Sequence, residues 1–405
     1  MATDVLDGLV AEAGEQLEGA VALRRRIHER PELGLDLPET QAAVLEALDG
    51  LPLGVTTGTS TSSVVAILDG TEPGPTVLLR GDMDALPMPE DTGLDYASRV
   101  DGAMHACGHD AHVAMLAGAA KLLSARRGAL RGRVAFMFQP GEEGHHGARA
   151  MLEEGLLDLV SDGAEPVSMA FALHQSPTVP SGMIATKGSS IMASADEFVI
   201  EVRGRGGHAS MPHQACDPIP VACEIVTALQ AMVTRRVDAF DPAVVTVAKI
   251  RAGTTNNVIP ETATMWGTIR TVSEKARTAV MADIERVADG IASAHGAAAD
   301  LRITHGYPVT INDDDAARFA IETAAHLLGE RSTVELPTPV MGAEDWSYVL
   351  QQVTGSMAFL GTRPAGVAPS AVAPNHSNRM VLDESAMAAG IATYAGVALR
   401  WTQRL

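Results

Sequence analysis

Several kinds of residue are scarce in this chain, and each scarcity excludes a class of protein. The 405 residues include 3 cysteines, and aromatic side chains make up 3% of the total. An odd, sparse set of cysteines does not form a disulfide framework and is typical of a reducing compartment. The low aromatic content argues against sites that stack bases or sugars on aromatic rings.

Positive charge and long apolar runs are also in short supply. Lys and Arg number 30 against 50 Asp and Glu, so the formal net charge is −20. Proteins that bind nucleic acids or anionic membranes need clustered Lys and Arg, so we expect neither kind of partner. The best apolar stretch, His112–Ala120, ends at Lys121 and is shorter than the ~20 residues that cross a bilayer. Acidic residues precede Arg24, the reverse of a signal peptide, so we expect a cytoplasmic protein.

The residues that are present predict a folded protein of more than one domain. Hydrophobic residues make up 46% of the chain and charged residues 20%, which is typical of globular proteins. At ~100–200 residues per domain, the length predicts two or three domains. Helices and strands alternate over residues 1–187, so we expect an α/β fold with a mixed, mainly parallel sheet. The elements predicted there are helices at Leu9–Arg30, Glu39–Leu48 and Ala111–Ser124, and strands at Ser63–Leu68, Thr76–Leu79, Arg133–Phe138 and Ser168–Leu173, with a turn-rich segment at Asp69–Pro75.

The pattern changes between residues 188 and 307. The predicted elements in that region are, in order, strand Glu197–Val202, helix Pro218–Met232, strands Val244–Ile250 and Ala263–Thr271, helix Ser273–Ala294 and strand Asp300–Thr304. This β-α-β-β-α-β order predicts a ferredoxin-like α+β domain. The α/β pattern then returns. We therefore predict one α/β domain, residues 1–187 and 308–405, interrupted by an inserted domain of residues 188–307.

Acidic residues follow two of the predicted strands. Asp82 and Asp84 come after Thr76–Leu79, and Glu142 and Glu143 come after Arg133–Phe138. Ligand sites in open α/β sheets collect at the carboxyl ends of strands, so these acids are candidates for a functional site. Adjacent carboxylates point in different directions, which allows one to bind a metal while its neighbour faces a substrate. Solvated carboxylates in turns are the alternative interpretation.

Cysteine and histidine supply the other candidates. Cys107 and His109 are two residues apart, so both side chains can face one side of an extended loop. His174 follows a predicted strand, and His376 lies in the C-terminal region. Thiolate and imidazole suit Zn²⁺ or a neighbouring divalent metal, whereas a structural cysteine and core histidines are the alternative. Together with Glu143 these residues make a five-ligand set, a number that suits two metals sharing a bridging water.

The motifs around these residues resemble the aminoacylase/carboxypeptidase-type metallohydrolase superfamily. The matching segments run in the same order over nearly the whole chain: Asp82–Pro87, Met104–His112, Gln139–Gly144, Gly204–His213, Asn257–Pro260, Gly342–Ser347 and Asn375–Ser377. The resemblance is to the branch that holds hippurate hydrolases, N-acyl-amino-acid amidohydrolases and plant indole-acetyl-amino-acid hydrolases. It implies an α/β catalytic domain with an inserted lid domain that commonly dimerises, so we expect a homodimer or higher homo-oligomer formed through the lid domain.

The resemblance also implies roles for the candidates in the α/β domain. The metal positions of the branch match Cys107, His109, Glu143, His174 and His376. Glu142 matches the general base. The wider superfamily has a His-x-Asp metal motif where this branch has Asp82-Met83-Asp84, so we do not expect Asp82 to be a ligand, and we expect Asp84 to orient one. The implied cofactor is a pair of divalent ions, with Zn²⁺ favoured and Mn²⁺, Co²⁺ or Ni²⁺ as alternatives.

Further roles fall in the inserted domain. By resemblance, His208 reaches the active site, often that of the partner subunit, and donates to the oxyanion, with Asn257 as the companion donor. Arg270 is a candidate to pair with a substrate carboxylate, with a solvated strand-end arginine as the alternative; a role for His213 stays open. Cys216 and Cys223 are predicted to be packing residues.

The predicted reaction is metal-dependent hydrolysis of the amide bond of a small N-acyl-amino acid. A dipeptidase or exopeptidase on the same scaffold is the alternative within this class. A hydrolase that uses Cys107 as its nucleophile is a second class, and it would survive chelation. An inactive binding protein on a hydrolase fold is a third.

Overall fold

The computed structural model describes residues 4–404, which divide into two compact units. The larger unit contains the described residues up to Ile191, the segment Ile311–Thr338 and the described residues from Tyr348 onward. The smaller unit contains Met192–Thr310 and Pro339–Ser347. Within residues 4–404, no helix combines the length and the apolar character that crossing a membrane demands.

Helices and strands are numbered in chain order over the described residues. The helices are α1 (Leu9–His28), α2 (Pro38–Leu48), α3 (His109–Ala125), α4 (Gly147–Glu153), α5 (Leu156–Ser161), α6 (Pro218–Arg236), α7 (Glu274–Ala294), α8 (Asp314–Leu328), α9 (Ser347–Leu350) and α10 (Met387–Thr402). The strands are β1 (Gly54–Thr57), β2 (Val64–Asp69), β3 (Glu72–Asp82), β4 (Arg131–Gln139), β5 (Val167–Pro180), β6 (Ile184–Thr186), β7 (Ser189–Met192), β8 (Asp196–Arg203), β9 (Gly207–His208), β10 (Ala243–Ala252), β11 (Val258–Ile259), β12 (Thr262–Thr271), β13 (Ala298–His305), β14 (Thr310–Asn312), β15 (Thr333–Glu335) and β16 (Gly355–Arg363).

An eight-stranded sheet with the order β1-β2-β4-β3-β5-β16-β6-β15 forms the centre of the larger unit. Strand β3 is parallel to both β4 and β5, and β5 is parallel to β16. The pairs β1–β2, β2–β4 and β16–β6 are antiparallel. The last seven residues of β3 and the last six of β4 are buried without alternation, as expected of strands in the middle of a sheet that is covered on both faces.

Three helices pack together beside the central strands. Helices α1, α3 and α10 contact one another, and α3 and α10 also contact β3. The close approach of α3 requires a glycine at residue 81, because a Cβ there would lie 2.9 Å from the carbonyl oxygen of His112. Gly81 therefore allows the first turns of α3 to lie against the carboxyl end of β3.

The smaller unit has a four-stranded antiparallel sheet with the order β10-β12-β8-β13 and two helices, α6 and α7. Ser273 caps α7, because its hydroxyl accepts a 3.0 Å hydrogen bond from the backbone N–H of Ala276. Every fourth residue of α7 from Ala276 to Ala292 is buried, which is the stripe that an amphipathic helix turns toward a sheet. Strand order and connectivity together are those of a ferredoxin-like fold.

The predicted fold class is confirmed, with corrections at individual elements. The segment Asp69–Pro75 was predicted to be a turn, but β3 already begins at Glu72. The sequence does not reveal this strand start, because Pro73, Gly74 and Pro75 favour turns by local preference. Pairing with β4 nevertheless extends the strand through them. The short strands and the helices α4 and α5 were not predicted, since runs of two to seven residues carry too little periodicity.

Candidate metal centre

The candidate residues of the larger unit lie at the ends of neighbouring elements. Glu142 and Glu143 follow β4, and His174 lies within β5. Cys107 and His109 lie at the start of α3, because Gly108 takes a left-handed conformation (φ +82°) that begins the helix at His109. Each of these segments borders β3 in the sheet or packs on it.

Three of the candidates form a buried triad. The ligand atoms of Cys107, His109 and His174 all lie within 4.8 Å of one another, and Cys107 Sγ is 3.4 Å from His174 Nε2. His174 Nδ1 donates a 2.6 Å hydrogen bond to the carbonyl oxygen of Gln175, so the lone pair of the neutral ring is on Nε2, facing the thiol. Burial, together with the neighbouring His112, holds the pKa of His174 well below its usual range. The ring is therefore neutral, the state that a metal ligand requires.

A second triad shares Cys107 with the first. The ligand atoms of Cys107, Glu143 and His376 also lie within 4.8 Å of one another, and His376 Nε2 is 3.1 Å from Glu143 Oε1. His376 has a positive φ of 66°, which is unusual for a residue other than glycine. Its backbone N–H donates a 2.9 Å hydrogen bond to the carbonyl oxygen of Ala106, which holds the loop beside Cys107. The five predicted residues therefore make two triads with one common sulfur atom.

The second triad holds protons in the metal-free chain. Hydrogen bonds to Cys107 and Glu143 raise the pKa of the half-exposed His376 to about 10. Burial raises the pKa of the Cys107 thiol. Burial also opposes ionisation of Glu143, but the hydrogen bond from His376 outweighs it and lowers the pKa of that carboxyl. A cation bound by these three side chains would displace protons from His376 and Cys107, whereas Glu143 is already ionised.

His109 provides the test of whether the residues fit a metal. Its ring is fully buried, yet within residues 4–404 neither ring nitrogen forms a hydrogen bond. The nearest oxygens, Asp82 Oδ2 and Asp84 Oδ1, lie 3.3 and 3.4 Å away without hydrogen-bond alignment. A buried polar group that makes no hydrogen bond is unfavourable unless something else satisfies it. The donor set of thiolate, imidazole and carboxylate suits a zinc-like divalent ion, so the residues fit.

Asp82 pairs with Arg80 and His112 and is not a member of either triad. The Arg80 guanidinium lies 2.8 Å from Asp82 Oδ2, and His112 Nδ1 donates to Asp82 Oδ1 at 2.5 Å. Burial opposes ionisation of Asp82, but Arg80, His109 and His112 outweigh it and hold the pKa of that carboxyl well below its usual range. The other nitrogen of His112, Nε2, accepts from the backbone N–H of Gln175 at 2.7 Å. Asp82, His109 and His112 lie close enough to hold an ion, but the cation beside Asp82 is already Arg80.

Asp84 contacts the segment that carries the two glutamates. Its Oδ1 accepts from the backbone N–H of Glu142 and its Oδ2 from that of Glu143, both at 2.9 Å. The ligand atoms of His109, Glu142 and Glu143 lie within 4.8 Å of one another, and Glu142 is buried. One carboxylate therefore fixes the backbone of both glutamates, so that Glu143 joins the second triad while Glu142 stays beside it.

His208 and Asn257 are neighbours in the smaller unit. Strands β9 and β11 pair His208 with Val258, and the backbone N–H of Ala209 donates to the Asn257 carbonyl at 3.1 Å. The backbone N–H of Ser210 donates to His208 Nδ1 at 3.1 Å, so a neutral ring carries its proton on Nε2. The hydroxyl of Thr255 donates to Asn257 Oδ1 at 3.1 Å, which leaves the amide to act as a donor through Nδ2.

The remaining candidates of the smaller unit differ in exposure. Arg270, at the end of β12, is partly buried, and burial lowers its pKa. His213 is exposed in a short turn. Cys216 is partly buried, but Cys223 is exposed on α6. The prediction that Cys223 packs is therefore wrong, because the amphipathic helix directs residue 223 away from the buried stripe of Val221, Ala222 and Ile225.

Sequence reasoning missed Arg80 and Gln175. Arg80 is fully buried in β3 beside Asp82, and Gln175 is fully buried in β5. An arginine inside an otherwise apolar strand was the available signal for Arg80, since a fully buried arginine needs a charged partner. A glutamine after His174 carries no comparable signal, because glutamine is common at exposed strand ends.

The chain is similar to known proteins over most of its length. The sequence profile described as peptidase family M20/M25/M40 matches residues 78–400. Thermostable carboxypeptidase 1 of Saccharolobus solfataricus is 36% identical over 99% of this chain and 100% of its own length. N-acetylcysteine deacetylase of Bacillus subtilis is 38% identical over 94% of this chain and 96% of its own. The solved structure of the Bacillus subtilis YXEP protein, titled a dinuclear metal binding peptidase from the M20 family, has a TM-score of 0.83 and 35% identity, covering 96% of this chain and 99% of that one.

Proposed function

The chain belongs to the peptidase family M20/M25/M40 and is a metal-dependent hydrolase of amide bonds, and from this premise we propose that it cleaves N-acyl-amino acids into a carboxylic acid and an amino acid. The observation that carries the proposal is the pair of triads that share Cys107, with Glu142 beside them. The deacetylase relative, named for an N-acetyl-amino acid, supports the substrate class.

We propose two divalent ions at this centre, most suitably Zn²⁺. Cys107, His109 and His174 would hold one ion, and Cys107, Glu143 and His376 the other. The relative whose title describes a dinuclear metal site supports this number. When bound, two such ions polarise a scissile carbonyl and lower the pKa of an attacking water.

The proton transfers are assigned to Glu142. Its carboxylate would take the proton of the attacking water and return it to the nitrogen of the leaving amino acid, which departs as a neutral amine. This assignment follows from position: Asp84 holds the backbone of both glutamates, and Glu142 has its carboxylate near His109 and Glu143. Asp84 itself is assigned to positioning through those two backbone hydrogen bonds.

Stabilisation of the oxyanion is assigned to His208 and Asn257. The hydrogen bonds to His208 Nδ1 and Asn257 Oδ1 make the opposite nitrogen of each side chain a donor. A donor aimed at a developing oxyanion contributes roughly 3–4 kcal/mol of transition-state stabilisation. We propose that the smaller unit acts as a lid that presents these donors, and that it forms the contact of a homodimer.

The proposal is tested by a substrate panel and one variant. Purified protein reconstituted with Zn²⁺, Mn²⁺, Co²⁺ or Ni²⁺ is assayed on hippurate, N-acetyl-amino acids and dipeptides. Glu142→Gln should lower kcat by ~10²–10⁴-fold with its metal content unchanged. Exposed Glu153→Gln in α4 is the matched control and should keep full activity. Full activity of Glu142→Gln with metal bound would remove Glu142 from this role.

Cleavage of peptides is the second candidate. The carboxypeptidase relative matches the chain over its full length, and a C-terminal peptide bond is also an amide with an amino acid as leaving group. The ratio of kcat/KM for hippurate to kcat/KM for a dipeptide with the same C-terminal residue decides between the two substrate classes.

A cysteine-nucleophile mechanism has less support. A nucleophilic cysteine works as its thiolate, whereas burial raises the pKa of the Cys107 thiol. The metal mechanism predicts that a chelator abolishes activity and that divalent ions restore it. A cysteine nucleophile predicts activity that survives chelation and is lost on alkylation.

A further inference from the structure

We propose that Gln175 is a positioning residue that sets the separation of the loops carrying Cys107, His174 and His376. The inference rests on the proposed function, because it assumes that these three side chains hold metal. Gln175 is not itself one of the five proposed ligands. It is fully buried in β5, directly after His174.

The Gln175 amide joins three segments that are distant in sequence. Its Nε2 donates to the carbonyl oxygen of Cys107 and to Asn375 Oδ1, each at 2.7 Å. Its Oε1 accepts from the hydroxyl of Thr362 in β16, also at 2.7 Å. One hydrogen of Nε2 therefore bonds the peptide of Cys107, and the other bonds the residue that precedes His376. The amide cannot flip without losing all three hydrogen bonds.

The backbone of Gln175 adds three more hydrogen bonds at the same centre. Its carbonyl oxygen accepts from His174 Nδ1 at 2.6 Å and from Asn375 Nδ2 at 3.4 Å. Its N–H donates to Nε2 of His112, a residue of α3. One residue therefore orients the His174 ring, anchors α3 and holds the Asn375 side chain through both of its amide atoms.

Gly108 shows how closely this amide fits the first triad. A Cβ at residue 108 would lie 2.5 Å from Gln175 Cγ and 2.8 Å from Nε2. The residue between Cys107 and His109 therefore has no room for a side chain while Gln175 is in place. The amide is packed against the peptide that connects two proposed ligands, so its shape and its hydrogen bonds both fix the position of the Cys107 sulfur.

Gln175→Leu tests the inference. Leucine keeps similar bulk but leaves the Cys107 carbonyl, Asn375 Oδ1 and the Thr362 hydroxyl without these bonds. Residues that orient metal ligands typically change metal affinity by about 10–100-fold when they are replaced. We expect a loss of that size in Zn²⁺ affinity, measured by competition with a chromophoric chelator. We also expect a shifted or weakened thiolate-to-metal absorption band in the Co²⁺-loaded protein, since the sulfur is displaced.

Asn312→Leu is the matched control. Asn312 is another buried amide of the larger unit, and its Nδ2 donates to the Lys187 and Met357 carbonyl oxygens at 2.8 and 3.0 Å. Its bonded partners lie outside the proposed ligand set. We expect this variant to lower the denaturation midpoint of the metal-free protein while the Co²⁺ spectrum and Zn²⁺ affinity stay as in the unchanged protein.

A second variant decides the matter where Gln175→Leu does not fold. Asn375→Ala, in a partly exposed loop, removes a single partner of the amide and should produce a smaller loss of affinity in the same direction. Unchanged affinity and an unchanged Co²⁺ spectrum in Gln175→Leu, or in Asn375→Ala when only that variant folds, would reject the positioning role while leaving the proposed function intact. A parent protein that binds no divalent ion and hydrolyses no substrate of the panel would reject both.

Discussion

Two buried polar clusters meet at the first turn of α3, and they differ in how their members are paired. His109 forms no hydrogen bond within residues 4–404 and lies among the proposed metal ligands. The next residue, Asp110, accepts from Arg24 Nε at 2.9 Å and from His28 Nδ1 at 2.8 Å. Arg24 also bonds Glu384 at 2.8 Å. Adjacent residues of one helix therefore take different tasks: a paired charge holds elements together, and a ring without a hydrogen bond is available to a ligand.

The contrast between His109 and the Asp110–Arg24 pair shows which kind of buried polar group points to a ligand site. Charges that are buried with partners are expected in any large domain, and they tie α1 to α3 here. A buried imidazole whose nitrogens make no aligned hydrogen bond, such as that of His109, costs free energy unless a ligand satisfies it. Burial alone does not separate His109 from Asp110, since both side chains are fully buried. The pairing does.

The largest effect is expected when Cys107, whose sulfur is shared by both triads, is replaced. Cys107→Ser removes the donor common to both triads, so both ions should bind more weakly and the metal content after dialysis should fall below one per chain. Since each tenfold in rate corresponds to ~1.4 kcal/mol and a metal supplies several, we expect at least ~10³-fold lower kcat/KM. His376→Ala, which affects the second triad only, should keep one ion.

The control for this prediction is the exposed Cys223. Cys223→Ser should leave metal content and rate unchanged, because that cysteine lies on the surface of α6. Two ions bound by Cys107→Ser with native affinity would contradict the assignment of a shared ligand.

The sequence predicted the candidate centre better than it predicted what supports it. Cys107, His109 and the Glu142–Glu143 pair are recognisable because such residue types rarely cluster in an apolar context, and the structure brings them together. Their roles as ligands and base stay predictions. Gln175 was not predicted, because its five hydrogen-bonding partners come from residues up to 200 positions away and no local pattern encodes such contacts.

The same contrast holds for the fold. Long periodic elements such as α7 were predicted to within one residue at each end. Strand β3 was predicted too short, because its first residues contain two prolines and a glycine and are extended only by pairing with β4. Local propensity gives the interior of an element, and tertiary pairing decides where it starts.

The next expected effect is on stability alone. Arg24→Leu removes the guanidinium that lies between Asp110 and Glu384. The buried carboxylate of Asp110 then lacks this cationic partner. Breaking a buried ion pair by removing one partner costs about 3–5 kcal/mol, so the free energy of unfolding should fall by that amount. The folded variant should still bind two ions, measured by metal analysis. Lost metal with unchanged stability would reverse the roles given to the two clusters.

His28 gives the paired cluster a pH dependence. Burial opposes its charge, but Asp110 and Glu90 outweigh burial and the repulsion of Arg24 and raise the pKa of His28 to about 9. The neighbouring His105 is held neutral, since burial lowers its pKa to about 3. A histidine pKa that is raised by folding stabilises the protein fully below its unfolded pKa of ~6.5. That stabilisation is lost as the pH rises through 9.

The variant His28→Gln isolates this contribution. The stability difference between the metal-free parent and His28→Gln should be larger at pH 6 than at pH 10, by about 3 kcal/mol. The measurement is denaturant unfolding of both proteins at each pH, so that the packing change common to both pH values cancels. A difference that does not vary with pH would mean that His28 is not charged in the folded protein.

The smallest expected effect is at an ion pair on the same helix. Arg26 and Glu46 link α1 to α2 at 2.6 Å, a distance shorter than that between Arg24 and Asp110, but their side chains are 51% and 69% exposed. Exposed pairs contribute about 0–1 kcal/mol because water screens them and ordering two long side chains costs entropy. Arg26→Leu should therefore change the free energy of unfolding by less than ~1 kcal/mol, and the change should shrink further in high salt. A loss at Arg26 comparable to that at Arg24 would mean that distance, rather than burial, sets the strength of these pairs.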